Sequence, residues 1–360
     1  MSKSKQTNPE ISMGLDLGDR YSYVIGVNRQ GEIVVEERVP TVRQNLEVFF
    51  RRFAPHARVV CEAGTHSPWV SELLERLSLD VVVANPRYAG RALTANGRKN
   101  DRLDAQTLAL FGLDSSLKQL LRPIKHRGRE AQEDLAVIRA RDAAVRCRTL
   151  LVNAARGLVK TSGYRLPKCG TNSFHRKVTE AMPDSLLPAL KPLLDQIEQL
   201  TLCVQRYDKQ VATLCEKYDE TERLQAVGGV GPLTALAFVL TLENHKRFAK
   251  SRAVGAFVGL VPRQHESSQS SPELRITKAG DMYLRRLLVG SAQYILGRHG
   301  PDCHLKRFGL RLERRGAKRA KKQAVVATAR KLAVVMHRLW AGVDVYEPFY
   351  ENTPAKRKSA

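Results

Sequence analysis

Four carboxylates in the first third of the chain have the residue types and the settings for phosphodiester chemistry. Asp16 sits in MGLDLG, Glu62 in RVVCEAG, and Asp101 with Asp104 in KNDRLDA. Asp16 is expected mid-strand, where alternation turns its side chain away from Leu15 and Leu17. An acid there is costly unless a cation neutralises it. Glu62 ends an apolar strand, and in a parallel sheet functional groups collect at the carboxyl ends of adjacent strands. Asp101 and Asp104 stand three apart, so one helix face shows both. Converging hard oxygen ligands of this kind suit Mg²⁺ or Mn²⁺. Two such ions about 4 Å apart activate an attacking oxygen and stabilise a leaving one. The competing reading is a solvated ion-pair patch with Lys99 and Arg102. It suits any one of these acids better than it suits all four.

The second chemical feature is the serine-rich stretch VPRQHESSQSSPELRITKAGD, with Ser267, Ser268, Ser270 and Ser271 close to Arg275, Lys278, Arg285 and Arg286. A serine hydroxyl is a weak nucleophile until a base or a metal activates it. By composition alone the stretch reads as a flexible Ser/Gln loop. On a helix, Arg285 and Arg286 flank the apolar seam Tyr283, Leu284, Leu287 and Leu288. They either clamp a phosphate bidentately or lie as surface cations beside a core stripe. Tyr283 and Tyr294 are alternative nucleophiles, but their apolar helical setting favours packing.

The elements that must position these groups follow from periodicity. ISMGLDLGD, RYSYVIGVN and EIVVEERVP are three short strands, with a hairpin signal at Asn28-Arg29-Gln30-Gly31. A helix over 42–53, the buried strand ARVVCEAG, a helix started by Ser67-Pro68, the buried strand DVVVANP and the helix DRLDAQTLALFGL come next. The order β-β-β-α-β-α-β-α is that of an α/β ribonuclease-H-like fold over residues 11–125. Residues 126–220 read as a helical region, with one long helix from His126 to Lys160. It then carries the heptad seam Leu193, Ile197, Leu200, Val204, Tyr207, Val211 and Leu214. That seam is the pattern of a coiled coil, pairing either with another subunit or back on the preceding helix. Residues 221–345 form a mostly α C-terminal domain. Its Gly228-Gly229 and Gly231 turns resemble a helix-hairpin-helix element, with Gly229 and Gly231 freeing backbone N–H groups for a phosphate. Residues 346–360 are expected to be a basic, disordered tail.

Composition agrees with a nucleic-acid partner. Lys and Arg number 60 against 36 Asp and Glu, a net charge of +24 on 360 residues. From Thr221 onward there are 26 basic and 10 acidic residues, so most of the excess lies at the back of the chain. Such a field attracts phosphate polyanions and says nothing of fold. The six cysteines are scattered without a C-x-x-C pair, as expected of reduced thiols rather than a zinc site. No run of eighteen apolar residues and no apolar N-terminal stretch exists, so a cytoplasmic location without a membrane partner is expected.

GLDLG, CEAG and KNDRLDA, followed by GGVGPLTA and GLVPRQ…ELRITKAGDMYLRRLLV, closely resemble the DEDD transposases of bacterial insertion sequences. More specifically, they resemble the bridge-RNA-guided recombinases, and the resemblance runs from about Ile11 to Trp340. It implies a Holliday-junction-resolvase-like (RuvC-like) N-terminal domain, a coiled-coil linker and a C-terminal transposase domain in a bacterial cytoplasmic protein. It implies that Asp16, Glu62, Asp101 and Asp104 bind the metal. A noncoding bridge RNA would pair with donor and target DNA, and a homotetramer would perform the exchange. It further implies a serine that forms a covalent phosphoserine link with DNA. The flanking motifs put that serine at Ser267, with Ser268 in reserve because the glycine that commonly follows it is absent. The expected function is cutting and rejoining DNA. The alternatives are a junction endonuclease without a covalent step, an actin-like sugar kinase or ATPase sharing the GLDLG hairpin, and an inactive RNA-binding relic.

Overall fold

The structure is a computed structural model that describes residues 9–93, 100–114, 117, 120–264, 274–316, 319–343 and 345–349. The chain divides into two compact units, Met1–Arg129 and Glu130–Ala360.

In the first unit five strands form one mixed sheet in the order β3-β2-β1-β4-β5. The strands β1 (Ile11–Asp16), β2 (Tyr21–Val27) and β3 (Ile33–Pro40) pair antiparallel as a meander. Parallel to β1 run β4 (Ala57–Glu62) and, beyond it, β5 (Asp80–Ala84). The expected succession of three strands and then strands alternating with helices is therefore present, consistent with a ribonuclease-H-like fold. The helices between them are α1 (Arg43–Arg51), α2 (Ser67–Arg76), α3 (Pro86–Leu93) and α4 (Asp101–Leu113). The sequence reading had no α3, although Tyr88, Ala89, Ala92 and Leu93 recur at helical spacing; the run is short and interrupted by Gly90.

Alternation along the strands separates two cores. Met13, Leu15, Val59 and Cys61 face α1 and α2, packing with Leu46, Phe50, Val70 and Leu74. The opposite face belongs to α4. Ala105 and Ala109 pack with Ile25 and Val27 of β2, and Leu108 with Val60, Val82 and Ala84. A Cβ at Gly14 would fall 1.8 Å from the Ala105 carbonyl oxygen, so only glycine lets the helix lie directly on β1. The first glycine of GLDLG, Gly14, thus has a packing reason, independent of any phosphate loop.

The second unit contains α5 (Arg129–Thr161, its first residue the last of the N-terminal unit), α6 (Phe174–Ala181), α7 (Leu187–Lys217), α8 (Glu220–Gln225) and α9 (Pro232–Leu242). It continues with α10 (Arg252–Phe257), α11 (Met282–Leu296), α12 (His304–Glu313) and α13 (Ala320–Trp340). From α5 onward the described part of the chain carries no named strand. The long helix begins at Arg129 instead of His126, because the preceding segment is claimed by the sheet. Ile124 bridges Val83, and His126 Nε2 lies 2.8 Å from Ser67 Oγ.

α5 and α7 run antiparallel, side chain to side chain. Lys217 reaches Asp134 at 2.7 Å, Arg141 reaches Asp208 at 2.6 Å, and Arg148 reaches Thr201 at 3.3 Å. Beyond these, Val152, Ala155 and Val159 pack with Leu190, Leu194, Ile197 and Phe174. The heptad seam therefore folds back on the preceding helix, with Ile197, Val204 and Val211 buried. Leu135, Ile138 and Val211 join the large core built around α9, whose residues from Thr234 to Leu242 are all buried.

The chain end is ordered further than the expected tail at 346–360. His304 N donates to the Pro348 carbonyl at 2.7 Å, and Arg307 stacks on Phe349 at 5.1 Å. Residues 350–360 lie outside the described part.

Candidate active site

Strand register brings the first two acids together. Leu15 is paired with Cys61, so Asp16 and Glu62, one residue further on, end neighbouring parallel strands. Both have the parity of Gly14 and Val60 and therefore face α4. The direction of α4 brings the other two. A Cβ on Gly112 would lie 2.2 Å from Ser12 Oγ, Ser12 Oγ donates to the Ala109 carbonyl at 2.6 Å, and Ala105 sits on Gly14. Passing from Gly112 back to Ala105 thus moves from Ser12 towards Asp16. One more turn back sets the N-terminus of α4, with Asp101 and Asp104, at the edge where β1 and β4 end.

Three contacts fix that helix. Asn100 caps it, its Oδ1 accepting from Arg102 N at 3.0 Å. Arg102 forms a two-point pair with Glu36 of β3, at 2.7 and 2.9 Å, and Tyr23 donates to the same carboxylate at 2.7 Å. The Arg102 hydrogen bond, then that of Tyr23, holds the Glu36 carboxyl below its ordinary range. At the other end the buried Arg58 bridges Asp80 and the Gly112 carbonyl, each at 2.6 Å. A cation at a helix C-terminus complements the helix dipole. The competing ion-pair patch would tie Arg102 to the neighbouring acids; its partner is Glu36, 66 residues away. Only the strand order reveals that pairing.

Asp16, Glu62 and Asp104 are partly buried and Asp101 is exposed. Among the described residues no three His, Cys, Asp or Glu side chains stand close enough to hold a metal ion. The backbone brings four carboxylates to one edge without closing them into a ligand set. As donors, four carboxylates without thiol or imidazole fit Mg²⁺ or Mn²⁺. Around the same edge, Ser67 Oγ at the start of α2 accepts from Gly64 N at 2.9 Å. His66 accepts from Trp69 Nε1 at 3.2 Å through Nδ1, with Nε2 turned to Asp19 at 3.5 Å. Burial, then the charge of Arg127, pushes the His126 imidazole pKa down.

In the second unit the segments on either side of the serine stretch are paired. Arg263 N donates to the Arg275 carbonyl at 2.9 Å, Thr277 N to Val261 at 2.9 Å, and Lys278 N to Gly259 at 3.1 Å. Arg275 and Lys278 are exposed on one leg of this ribbon. Ser267 and Ser268 lie outside the described residues. Arg285 donates to the carbonyls of Val258 and Ala279, at 3.0 and 2.7 Å, and so fastens the ribbon to α11. Arg286 pairs with Asp142 of α5 and stacks on Tyr283 at 4.9 Å. Leu284 and Leu288 are buried as expected, whereas Tyr294 is 54% exposed. Gly229 has φ +96°, and a Cβ there would lie 2.8 Å from Ile295, so its glycine serves turn and packing together. Gly231 caps α9 with open space around it.

Comparison with known proteins agrees with both ends of the chain. Residues 13–162 match the profile of the IS110-type DEDD transposases, and residues 221–308 that of the transposase IS116/IS110/IS902 family. The chain belongs to the IS110-type transposase family. Curated proteins named as transposases are similar to it over most of its length. The transposase for insertion sequence element IS1111A of Coxiella burnetii is 26% identical over 343 residues, 93% of this chain and 90% of its own. That for insertion sequence element IS1328 of Yersinia enterocolitica is 25% identical over 295 residues, 81% of this chain and 85% of its own. No helix among the described residues of this IS110-type chain is long and apolar enough to cross a membrane.

Proposed function

We propose that this protein is the transposase of an insertion sequence, cutting and rejoining DNA at a metal-dependent carboxylate site with a serine as nucleophile. A noncoding bridge RNA selects donor and target, and the working form is a homo-oligomer, dimer to tetramer. One observation carries the reading. Asp16 and Glu62 end adjacent parallel strands at the N-terminal turn of α4, which bears Asp101 and Asp104. The four carboxylates would hold Mg²⁺ or Mn²⁺, which when bound supplies Lewis-acid stabilisation of the phosphodiester oxygens.

The chain's own residues do the rest. Ser267 Oγ, or Ser268 Oγ in reserve, attacks phosphorus and loses its proton to solvent. The strand-end oxygen departs and takes up a proton, leaving DNA joined to the protein as a phosphoserine. Attack by a hydroxyl of a second strand reverses these steps, restores the serine and completes the exchange. Arg275 and Lys278, exposed on the ribbon beside the serines, neutralise strand phosphates. Arg285 holds the ribbon, and Arg286 lies at its helix surface. Gly229 and Gly231 open the N-terminus of α9 to a phosphate.

The test is a denaturing gel for covalent protein–DNA adducts, with Mg²⁺, the flanking noncoding RNA and DNA spanning the element junction. An RNA-dependent adduct lost in Ser267→Ala is expected. Cleaved ends without an adduct, unchanged in Ser267→Ala and Ser268→Ala, would instead mean a metal-dependent endonuclease.

A further inference from the structure

A polar cavity of ≈ 430 Å³ opens between α5 and the segment from Gly170 to Arg176. It lies in the second unit, and none of the chemistry assigned above uses it. Its floor is Arg148, only 8% exposed. A buried guanidinium ordinarily meets a carboxylate, because an uncompensated charge is expensive to desolvate. Arg148 has none among the described residues. Its hydrogen-bond partners are neutral, Asn172 Oδ1 at 3.0 Å and Thr201 Oγ1 at 3.3 Å, and its Nε has no hydrogen-bond partner among the described residues. Burial, then the like charge of Arg141, lowers its proton affinity; Asp208 opposes them, but its carboxylate is already bonded to Arg141 at 2.6 Å.

The cavity wall is built for an anion. A 3₁₀ turn, Thr171–Ser173, runs into α6, so the positive end of that helix opens at the wall. His175 lines it with a buried Nδ1 that has no partner, its Nε2 being 3.6 Å from Glu198. Arg176 stands exposed at the mouth. From Tyr164 to Lys177 the chain carries Arg165, Lys168, Arg176 and Lys177 and no carboxylate at all. A lone small anion would need only the floor; a cationic approach of this extent suits a polyanion.

We propose that this cavity is a phosphate pocket in which Arg148, with Arg176 at the mouth, grips the backbone of a nucleic-acid strand. It rests on the reading of the chain as a nucleic-acid enzyme, and gives the helical region a strand contact remote in sequence from the carboxylate and serine motifs. The unpaired charge of Arg148 is then a stability sacrifice that the ligand removes.

The test uses the full chain and labelled 20-nucleotide single strands of RNA and of DNA, read by fluorescence anisotropy over a salt series. Arg148→Met is expected to weaken binding by about tenfold, the effect of losing a charge-assisted hydrogen bond. It should also reduce the slope of log affinity against log salt by about 0.7, one single-strand phosphate contact. Arg176→Ala, at an exposed position that cannot unfold the core, should weaken binding in the same direction. Lys209→Ala, which removes an equal charge on α7, away from the cavity lining, should leave binding within about twofold. Loss with RNA alone or with DNA alone assigns the strand, and loss with both makes the pocket indifferent to the sugar. Inorganic phosphate should raise the melting temperature of the wild type and not of Arg148→Met. If Arg148 were only a structural tie, the variant would melt lower and phosphate would act on both alike. Binding by both Arg148→Met and Arg176→Ala equal to that of Lys209→Ala would overturn the proposal. Because no arm requires strand cleavage, an inactive carboxylate site would leave this result untouched.

Discussion

Replacing Gly14 with alanine tests how the carboxylate edge is assembled. The added Cβ would stand 1.8 Å from the Ala105 carbonyl oxygen and 2.5 Å from Ala109 N, all of it rigid helix backbone. Ordinary contact begins near 3.4 Å, so α4 has to retreat by about 1.5 Å, an overpacking that costs about 1–3 kcal/mol. The retreat also strains the bond from Ser12 Oγ to the Ala109 carbonyl, worth about 1 kcal/mol. A loss of about 3 kcal/mol with a urea slope near 1.5 kcal/mol/M moves the unfolding midpoint of the N-terminal unit down by about 2 M. The chain has two tryptophans, Trp69 in α2 and Trp340 in α13. In a Trp340→Phe background, Trp69 fluorescence therefore reports the N-terminal unit alone. DNA cleavage should fall by about 10²-fold, because Asp101 and Asp104 move with the helix. Gly90→Ala is the control, since its Cβ meets nothing within 4 Å. It should leave the midpoint equal or slightly higher. An unchanged midpoint and full cleavage in Gly14→Ala would refute the packing of α4 on β1 and the grouping of the acids built on it.

Three further outcomes are expected. Glu36→Gln weakens the anchor that Arg102 makes at the start of α4, so cleavage should fall about tenfold with DNA affinity unchanged, measured by single-turnover kinetics and anisotropy. His126 takes up a proton less readily in the folded unit than in the unfolded chain. Its contribution is therefore complete above an ordinary histidine pKa of about 6.5 and declines as pH falls towards the lowered folded value. The Trp69 urea midpoint should drop between pH 7.5 and pH 5.5, and His126→Gln should flatten that drop. Finally, burial pushes the Cys61 thiol pKa to about 12, whereas Cys147 is exposed. A thiol reagent on the native protein should label Cys147 early and Cys61 only in denaturant, read by peptide mass spectrometry.

Much of this was legible in the sequence where local pattern decides the outcome. Alternation in ISMGLD turned Asp16 from Leu15, and the sheet agrees. The helix DRLDAQTLALFGL has its expected limits of 101 and 113. What periodicity withholds is which distant element an end is tied to. The long helix starts at Arg129 because His126 is bonded to Ser67, a contact 59 residues apart. The heptad seam is equally compatible with a partner chain or an internal one, and the Arg141–Asp208 and Lys217–Asp134 pairs show the internal one. The anchoring of α4 by Arg102 and Glu36 needed the strand order, since neither residue stands out by type. Arg148 shares its helix with Arg139, Arg141, Arg146 and Arg156, and only its burial sets it apart.

The most direct measurement is Mg²⁺-dependent cleavage of element-junction DNA by wild type, Asp16→Asn, Glu62→Gln, Asp101→Asn and Asp104→Asn, with DNA affinity measured in parallel. Each substitution is expected to lower cleavage by about 10²-fold or more, as loss of a metal ligand or its support does, while affinity stays within about threefold. Full cleavage by an Asp101→Asn/Asp104→Asn double variant that binds DNA normally would contradict that expectation.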